Sequence, residues 1–562
     1  MAGGELLWIL AAHLVLTGLP GVAAALLAAR RGVGSVPVLL ALALATSGIV
    51  AMLSFWAFYA TPVLGESFAY FTIFGSIGLT LWALRGRRLD SRLLHELATP
   101  LGLWAFGSAF LVFFGFLHGG ANDPLSMSAS RFSTHLPGDN AIPYFYAEWF
   151  FHNGHHGGAP IFPGGWLSSD RPPLQVGYVL GQTPFGWGST ALHYEVLGVV
   201  LQQLWIIGLW ALLVAARVGR VTRALAIAAV LISGVAIVNG FFVWPKMLPA
   251  AMLLAAAALM VTPLWFGLRR NLWVAALLAA LFGLAMLGHG SSVFGIIPLA
   301  LIAAYRGLPS WRWMGVGLLV GFALMAPWSA YQKYAEPPGN RLTKWMLAGV
   351  VEVDDRGVPE TIFDSYREAG FGGAIHDKAE NFITMAGGGP ALEGVESAVG
   401  DIGSGDLREA VREVRAVLFY CLLPSFGLLL IAPFVMVVAR RRGRRNPSEW
   451  RFALTCLAVL VIGAISWGLL LFGNLPARTV MHAGSFALPL LGICGAIAGL
   501  RATFPRFAIY VVVISILLTL ALYTPSLEPL PGSSYSALAA LAAAIALAGF
   551  FSLALRSDVN DG

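Results

Sequence analysis

Residues 36–62, VPVLLALALATSGIVAMLSFWAFYATP, carry no charged side chain and no alternation of apolar with polar positions. Wound as an α-helix at about 1.5 Å per residue, the run outreaches a hydrocarbon layer roughly 30 Å thick. Comparable runs lie near 6–29, 67–84, 99–118, 192–216, 224–243, 247–268, 271–288, 291–305, 313–330, 416–439, 452–472, 480–500, 507–524 and 535–555. Hydropathy thus predicts about fifteen transmembrane helices. Of 562 residues, 58% are hydrophobic and only 11% charged, too few polar groups to cover soluble cores of this size. A cytosolic enzyme is excluded, and so is a transmembrane β-barrel, whose short alternating segments are absent. The fold class is an all-α polytopic membrane protein.

The net charge of +7 would suggest nucleic acid in a soluble chain, but the arginines gather at the ends of apolar runs. They occur as Arg30-Arg31, Arg85 to Arg92, Arg217 to Arg223, Arg269-Arg270, Arg306 with Arg312, Arg440 to Arg451, Arg501 with Arg506, and Arg556. All fall on one side if the spans alternate, and the positive-inside rule makes that side cytoplasmic. The N-terminus is then outside and the C-terminus inside a plasma membrane. No basic stretch precedes the first run, so it is expected to remain as a helix and not be cleaved. Cys421, Cys456 and Cys494 all sit in apolar runs and read as buried thiols.

Two long polar segments, 119–191 and 331–415, both fall on the outer face, where the chemistry is therefore expected. The second holds about half of the acidic residues and Gly387-Gly388-Gly389. It reads as a mobile loop that orders on binding, with a juxtamembrane helix near 405–415. Carboxylates are nearly missing from the spans, Glu195 being the main exception, which disfavours an ion-coupled transporter.

In the first segment, Gly138 allows a turn and Asp139 opens a helical apolar pattern that includes Glu148. Asp139 reads either as a plain N-cap or as a carboxylate poised at the membrane surface to accept a proton from a hydroxyl. Arg171-Pro172-Pro173-Leu174 projects a guanidinium from a stiff turn, suited to phosphate or to pairing with neighbouring Asp170.

These elements resemble the GT-C superfamily of membrane glycosyltransferases, in particular the branch of protein O-mannosyltransferases and the lipid A aminoarabinose transferase. Asp139 matches that family's acidic motif, and Arg171 with Pro172, Pro173 and Leu174 matches its basic-Pro-Pro-Leu element. Asn140 stands where a second acid often sits. The arrangement also resembles a seven-helix core with a catalytic loop after its first helix and a flexible loop after its seventh. The resemblance implies three accessory helices in 1–98, a core in 99–330 with catalytic loop 119–191, a flexible loop 331–415, and five more helices in 416–562.

It further implies transfer of a sugar from a polyprenyl-phosphate donor to a glycan, lipid or protein acceptor, with inversion and Asp139 as general base. Arg171, Lys246, Arg341, Lys344 and Arg478 are the expected phosphate contacts. Asn140, Glu148, His289 and His482 are the expected substrate contacts. Lys246 could equally snorkel to the interface, and His289, between Gly288 and Gly290, could equally be structural. Arg478 and His482 lie four apart, on one face if helical. Arg341 and Lys344 lie one turn apart and could close over a phosphate. No cofactor is required; His152, His155 and His156 lack a nearby carboxylate and disfavour a metal. Membrane lipids are expected partners and nucleic acid is not. The rival functions are a lipid-linked oligosaccharide polymerase or ligase, and a lipid or glycolipid flippase without transferase activity.

Overall fold

The computed structural model describes residues 3–85, 89–133, 136–440, 446–473 and 486–556. In chain order the helices are α1 (Gly3–Arg30), α2 (Val36–Ala60), α3 (Pro62–Leu84), α4 (Ser91–Gly115), α5 (Pro124–Ser130), α6 (Ile142–Asn153), α7 (Leu174–Gln182), α8 (Thr190–Gln202), α9 (Trp205–Ala215), α10 (Arg220–Leu231), α11 (Gly234–Phe241) and α12 (Met247–Met260). They continue as α13 (Trp265–Leu268), α14 (Leu272–Gly288), α15 (Val293–Arg306), α16 (Trp311–Ala330), α17 (Arg341–Ala348), α18 (Val358–Ala386), α19 (Pro390–Ser404), α20 (Leu407–Tyr420), α21 (Ile431–Arg440), α22 (Pro447–Leu470), α23 (Ala487–Thr503), α24 (Pro505–Tyr523) and α25 (Ala537–Arg556). No strand occurs among the described residues, only one bridge between Phe162 and Trp166.

Hydrocarbon offers no partner to a backbone N–H or C=O, so apolar runs must pair their own, which a helix does. Among the described residues, nine helices are long and apolar enough to cross a membrane. Two bent pairs and four shorter apolar helices account for the other expected runs. The chain is a multi-pass membrane protein. The apolar window within Thr190–Ala215 is wholly buried in the bundle, whereas only 6% of that in Trp311–Ala335 is covered, so the first is central and the second faces lipid.

Close approach of backbones builds the centre. A Cβ on Gly208 of α9 would stand 2.4 Å from the Ala251 carbonyl oxygen of α12, and one on Gly177 of α7 would stand 2.1 Å from that of Ala51 in α2. Short α7, expected in a loop, is thereby buried against α2, and α2 itself packs on α9, α12 and α14 in the middle of the bundle.

The ends of the helices sort into two faces. Arg30 donates to the carbonyls of Trp82, Ala83 and Arg85, Arg220 to that of Leu555, and Arg306 to Thr455. The two long polar segments meet at the other face, where Gln332 donates to the Ser169 carbonyl and Glu336 accepts from the Ser169 N–H, both at 3.0 Å. Trp8 meets Trp187 there, the rings tilted by 39°, so the described chain starts at this loop face and ends at the basic one.

Three expectations need correction. Segment 331–415 is not a loop for most of its length: it forms α17 to α20. Asp406 caps α20 by accepting from Glu409, and α18 fastens itself to α22, with Asn381 donating to the Gly468 and Leu471 carbonyls at 3.1 Å. Secondly, 416–439 is not one span. Its first residues end amphipathic α20, and the chain turns 87° before Pro424–Val438, at Pro424 and at Gly427 with φ 51°. Thirdly, α12 stops at Met260, and Pro263 separates it from α13, so 247–268 is broken.

Two arginines from the polar segments, both fully buried, close the end of α24. Arg131 donates to Thr524 and Pro525 carbonyls at 3.0 and 3.1 Å, and Arg415 to Leu522 and Pro525 at 3.0 and 2.8 Å. Cations suit a helix C-terminus, whose last carbonyls lack partners. Burial, and then the Arg415 charge, bring Arg131 down to about 9. Replacing Arg415 with methionine removes the guanidinium from the Leu522 carbonyl and one of two from Pro525, and should lower unfolding stability by about 2–3 kcal/mol. A lowered thermal midpoint of the detergent-solubilised protein checks this; an unchanged midpoint refutes it.

Candidate functional site

Asp139 belongs to a single 3-10 turn, Gly138–Ala141, between Pro137 and the Pro143 of α6. The N-cap expected of it is not formed, since its side chain caps neither the turn nor α6. Its Oδ2 accepts from Arg171 Nη2 at 2.5 Å, and the two side chains are 13% and 9% exposed. Arg171 does not pair with Asp170, the plainer option. Asp170 turns back to accept from the Leu167 N–H at 2.8 Å and faces Arg341 Nη1 at 3.9 Å. Burial pushes the Asp170 carboxyl up, against the Leu167 N–H and the two arginines, which pull it down.

Trp166 joins one basic group from each of the two polar segments. The Cζ atoms of Arg171 and Arg341 each lie 4.5 Å from the centre of its ring, within cation–π range. Arg341 also donates to the Gly165 carbonyl at 2.6 Å and the Val351 carbonyl at 2.5 Å.

Lys246 ends the turn between α11 and α12 and is 5% exposed. Its Nζ lies 2.8 Å from His289 Nε2 and 4.3 Å from the centre of the Trp244 ring. Burial, then the Arg171 charge, hold the ammonium well below the usual lysine range, while Asp139 pulls it back. The three residues therefore share one electrostatic neighbourhood, although 107 positions separate the first from the last. His289 Nδ1 accepts from the Ser291 N–H at 3.1 Å and lies 2.6 Å from Ser291 Oγ, which puts the imidazole proton on Nε2, facing Lys246.

Buried amides tie the Asp139 and Lys246 turns together. Tyr194 donates to the Asn140 carbonyl at 2.5 Å, and Gln175 donates to Tyr194 at 3.2 Å and to the Val243 carbonyl at 3.0 Å. Gln202 donates to Gln175 at 3.0 Å and accepts from the Met247 and Leu248 N–H groups at 2.9 and 3.1 Å, closing the N-terminus of α12. Val243, within this turn, has φ 50°, costly for a β-branched residue. Gly198 on α8 leaves it room, since a Cβ there would lie 2.6 Å from the Val243 side chain.

The other expected residues are placed differently. Asn140 is 2% exposed and donates to the Leu125 carbonyl and to Ser128 Oγ, which fixes the turn to α5. Glu148 opens on a different cavity, with Tyr144 and His193. Lys344 is held by Asp354 at 2.6 Å and lowers that carboxyl, with Arg356, to about 2. Arg478 and His482 lie outside the described residues. His155 is turned to the Tyr59 and Ala60 carbonyls, and no group of three or more metal-ligating side chains gathers among the described residues.

Sequence reasoning missed Trp166, Gln175, Tyr194 and Gln202. Gln202 with Gln203, polar residues inside an otherwise apolar run, were the available signal. No protein-family model matches the chain, no curated protein matches it, and no solved structure matches its fold. Gln202→Leu, similar in size, leaves two N–H groups of α12 without an acceptor. A loss of about 1–3 kcal/mol in thermal or denaturant stability is expected, and a variant as stable as the parent would remove Gln202 from this role.

Proposed function

We propose that the protein is a membrane glycosyltransferase of GT-C type, moving a sugar from a polyprenyl-phosphate donor to an acceptor hydroxyl at the loop face. The observation that carries this reading is the Asp139–Arg171 ion pair beside buried Lys246. A base and two phosphate-seeking cations within one small region is what displacement at a phosphorylated sugar carbon requires. When the donor phosphate takes Arg171, the Asp139 carboxylate is released for the acceptor.

The step balances simply. The acceptor oxygen attacks the anomeric carbon as its proton passes to Asp139, and the carbon–oxygen bond to phosphate breaks with inversion. Arg171 and Lys246 hold the charge left on the lipid phosphate, and Arg341 supports Arg171 across Trp166. His289 holds the Lys246 amine in place, and the lysine takes up a proton from solution when the phosphate arrives. On the orientation drawn from the arginines, the loop face is extracytoplasmic and the membrane is a plasma membrane.

The test is mass-spectrometric detection of released polyprenyl phosphate from a panel of polyprenyl-phosphate sugars. Asp139→Asn should lower turnover by about 10²–10⁴-fold while the donor still binds, because Arg171 loses its competitor. Full turnover in that variant would turn the reading toward a polymerase or ligase, and its absence with every donor toward a flippase.

Protonation gives a second expectation. Lys246 is charged only below its depressed value, and a bound phosphate draws the proton on. Donor affinity therefore falls as pH rises through that value, and binding takes up a proton. Titration calorimetry in buffers of different ionisation enthalpy checks both; Lys246→Arg should flatten the dependence, since arginine keeps its charge.

A further inference from the structure

Helix α1 carries His13 into the bundle beneath the loop face, where the chemistry above has no use for it. His13 Nε2 lies 3.0 Å from His193 Nδ1, and His193 Nε2 lies 2.6 Å from the Trp187 carbonyl oxygen. A carbonyl only accepts, so His193 keeps its proton on Nε2 and receives the Nε2–H of His13. His13 Nδ1 then needs a donor. Gln182 Oε1 lies 2.9 Å from His13 Nδ1 and Gln182 Nε2 donates to Thr17 Oγ1 at 2.9 Å; with the amide turned over, its N–H group meets His13 Nδ1 instead. A doubly protonated His13 would instead bury a cation with no ion-pair partner among the described residues, at a cost of several kcal/mol. The four side chains form a relay that holds the Trp187 backbone.

This relay walls a cavity of about 170 Å³ that Tyr144, Glu148, Trp187 and Tyr194 complete. Tyr144 Oη lies 2.7 Å from Thr190 Oγ1. The half-buried Glu148 carboxyl has no hydrogen-bond donor among the described residues; burial raises it and His152 pulls it down. Trp187 is 48% exposed, its ring centre 5.8 Å from that of Trp8. No lysine or arginine lines the space, so it is no phosphate site. It is smaller than the roughly 300–1,000 Å³ of drug-sized pockets. What matches a lone carboxylate acceptor beside aromatic faces is a ring bearing hydroxyls on its edge and C–H groups on its face.

We infer that this cavity binds a neutral, hydroxyl-rich sugar ring and that, resting on the transferase reading, it is where the acceptor docks. Its wall is continuous with the Asp139 turn, because Tyr194 lines the cavity and holds the Asn140 carbonyl. The N-terminal helix thereby belongs to a binding site.

The probes are methyl glycosides of mannose, glucose, galactose and arabinose, added without donor to the detergent-solubilised full chain and read by saturation-transfer NMR. Saturable binding of at least one, weakened about tenfold or more by Glu148→Gln and by Trp187→Ala, is the expected result. No saturable binding of any probe, or binding unmoved by both substitutions, overturns the inference. Glycoside binding without turnover on any donor sinks the transferase reading and leaves the sugar site standing. Turnover whose acceptor KM does not rise in Glu148→Gln sinks the acceptor site and leaves the transferase.

Discussion

In a bilayer interior every helix end exposes carbonyl or N–H groups that water cannot reach, and this protein satisfies them with side chains from elsewhere in the chain. Arg131 and Arg415 close α24, Asn381 closes α22, and Gln202 opens α12. All these contacts lie at or beneath the loop face. The two long polar segments and the spans are thus one structure, and the candidate site inherits its geometry from that requirement.

Charge in the site is balanced more tightly than its composition suggests. Asp139 faces Arg171, which also shares Trp166 with Arg341, while Lys246 is desolvated and repelled by Arg171. An incoming phosphodiester anion would relieve that repulsion and the burial cost of the ammonium together. On the proposed reading the same group would free the carboxylate, and binding and activation of the base would be a single exchange of partners.

How much of this was legible follows from the range of each interaction. Hydropathy is local, so the apolar runs and the clustering of arginines at one set of helix ends could be read directly. In 331–415 the helix expected near 405–415 is α20, but α17 to α19 could not be read, because what holds α18 is Asn381 against carbonyls 87 and 90 residues away. Asp139 and Arg171 stood out as turn residues between prolines, yet their mutual contact and the loss of the expected cap appear only in three dimensions. Asn140 looked like a substrate contact and is a fastening to α5, since an amide's role is set by who meets it and not by its neighbours in sequence.

Gly198 lies mid-helix in the central span, several positions removed from any chemical group, yet the room it leaves is filled by Val243 in a left-handed conformation. A methyl group there would push on the turn that aims Lys246. Damage arising in what looks like featureless lipid-depth packing would surface as a misdirected amine, and a survey of variants ranked by distance from the charged groups would overlook it.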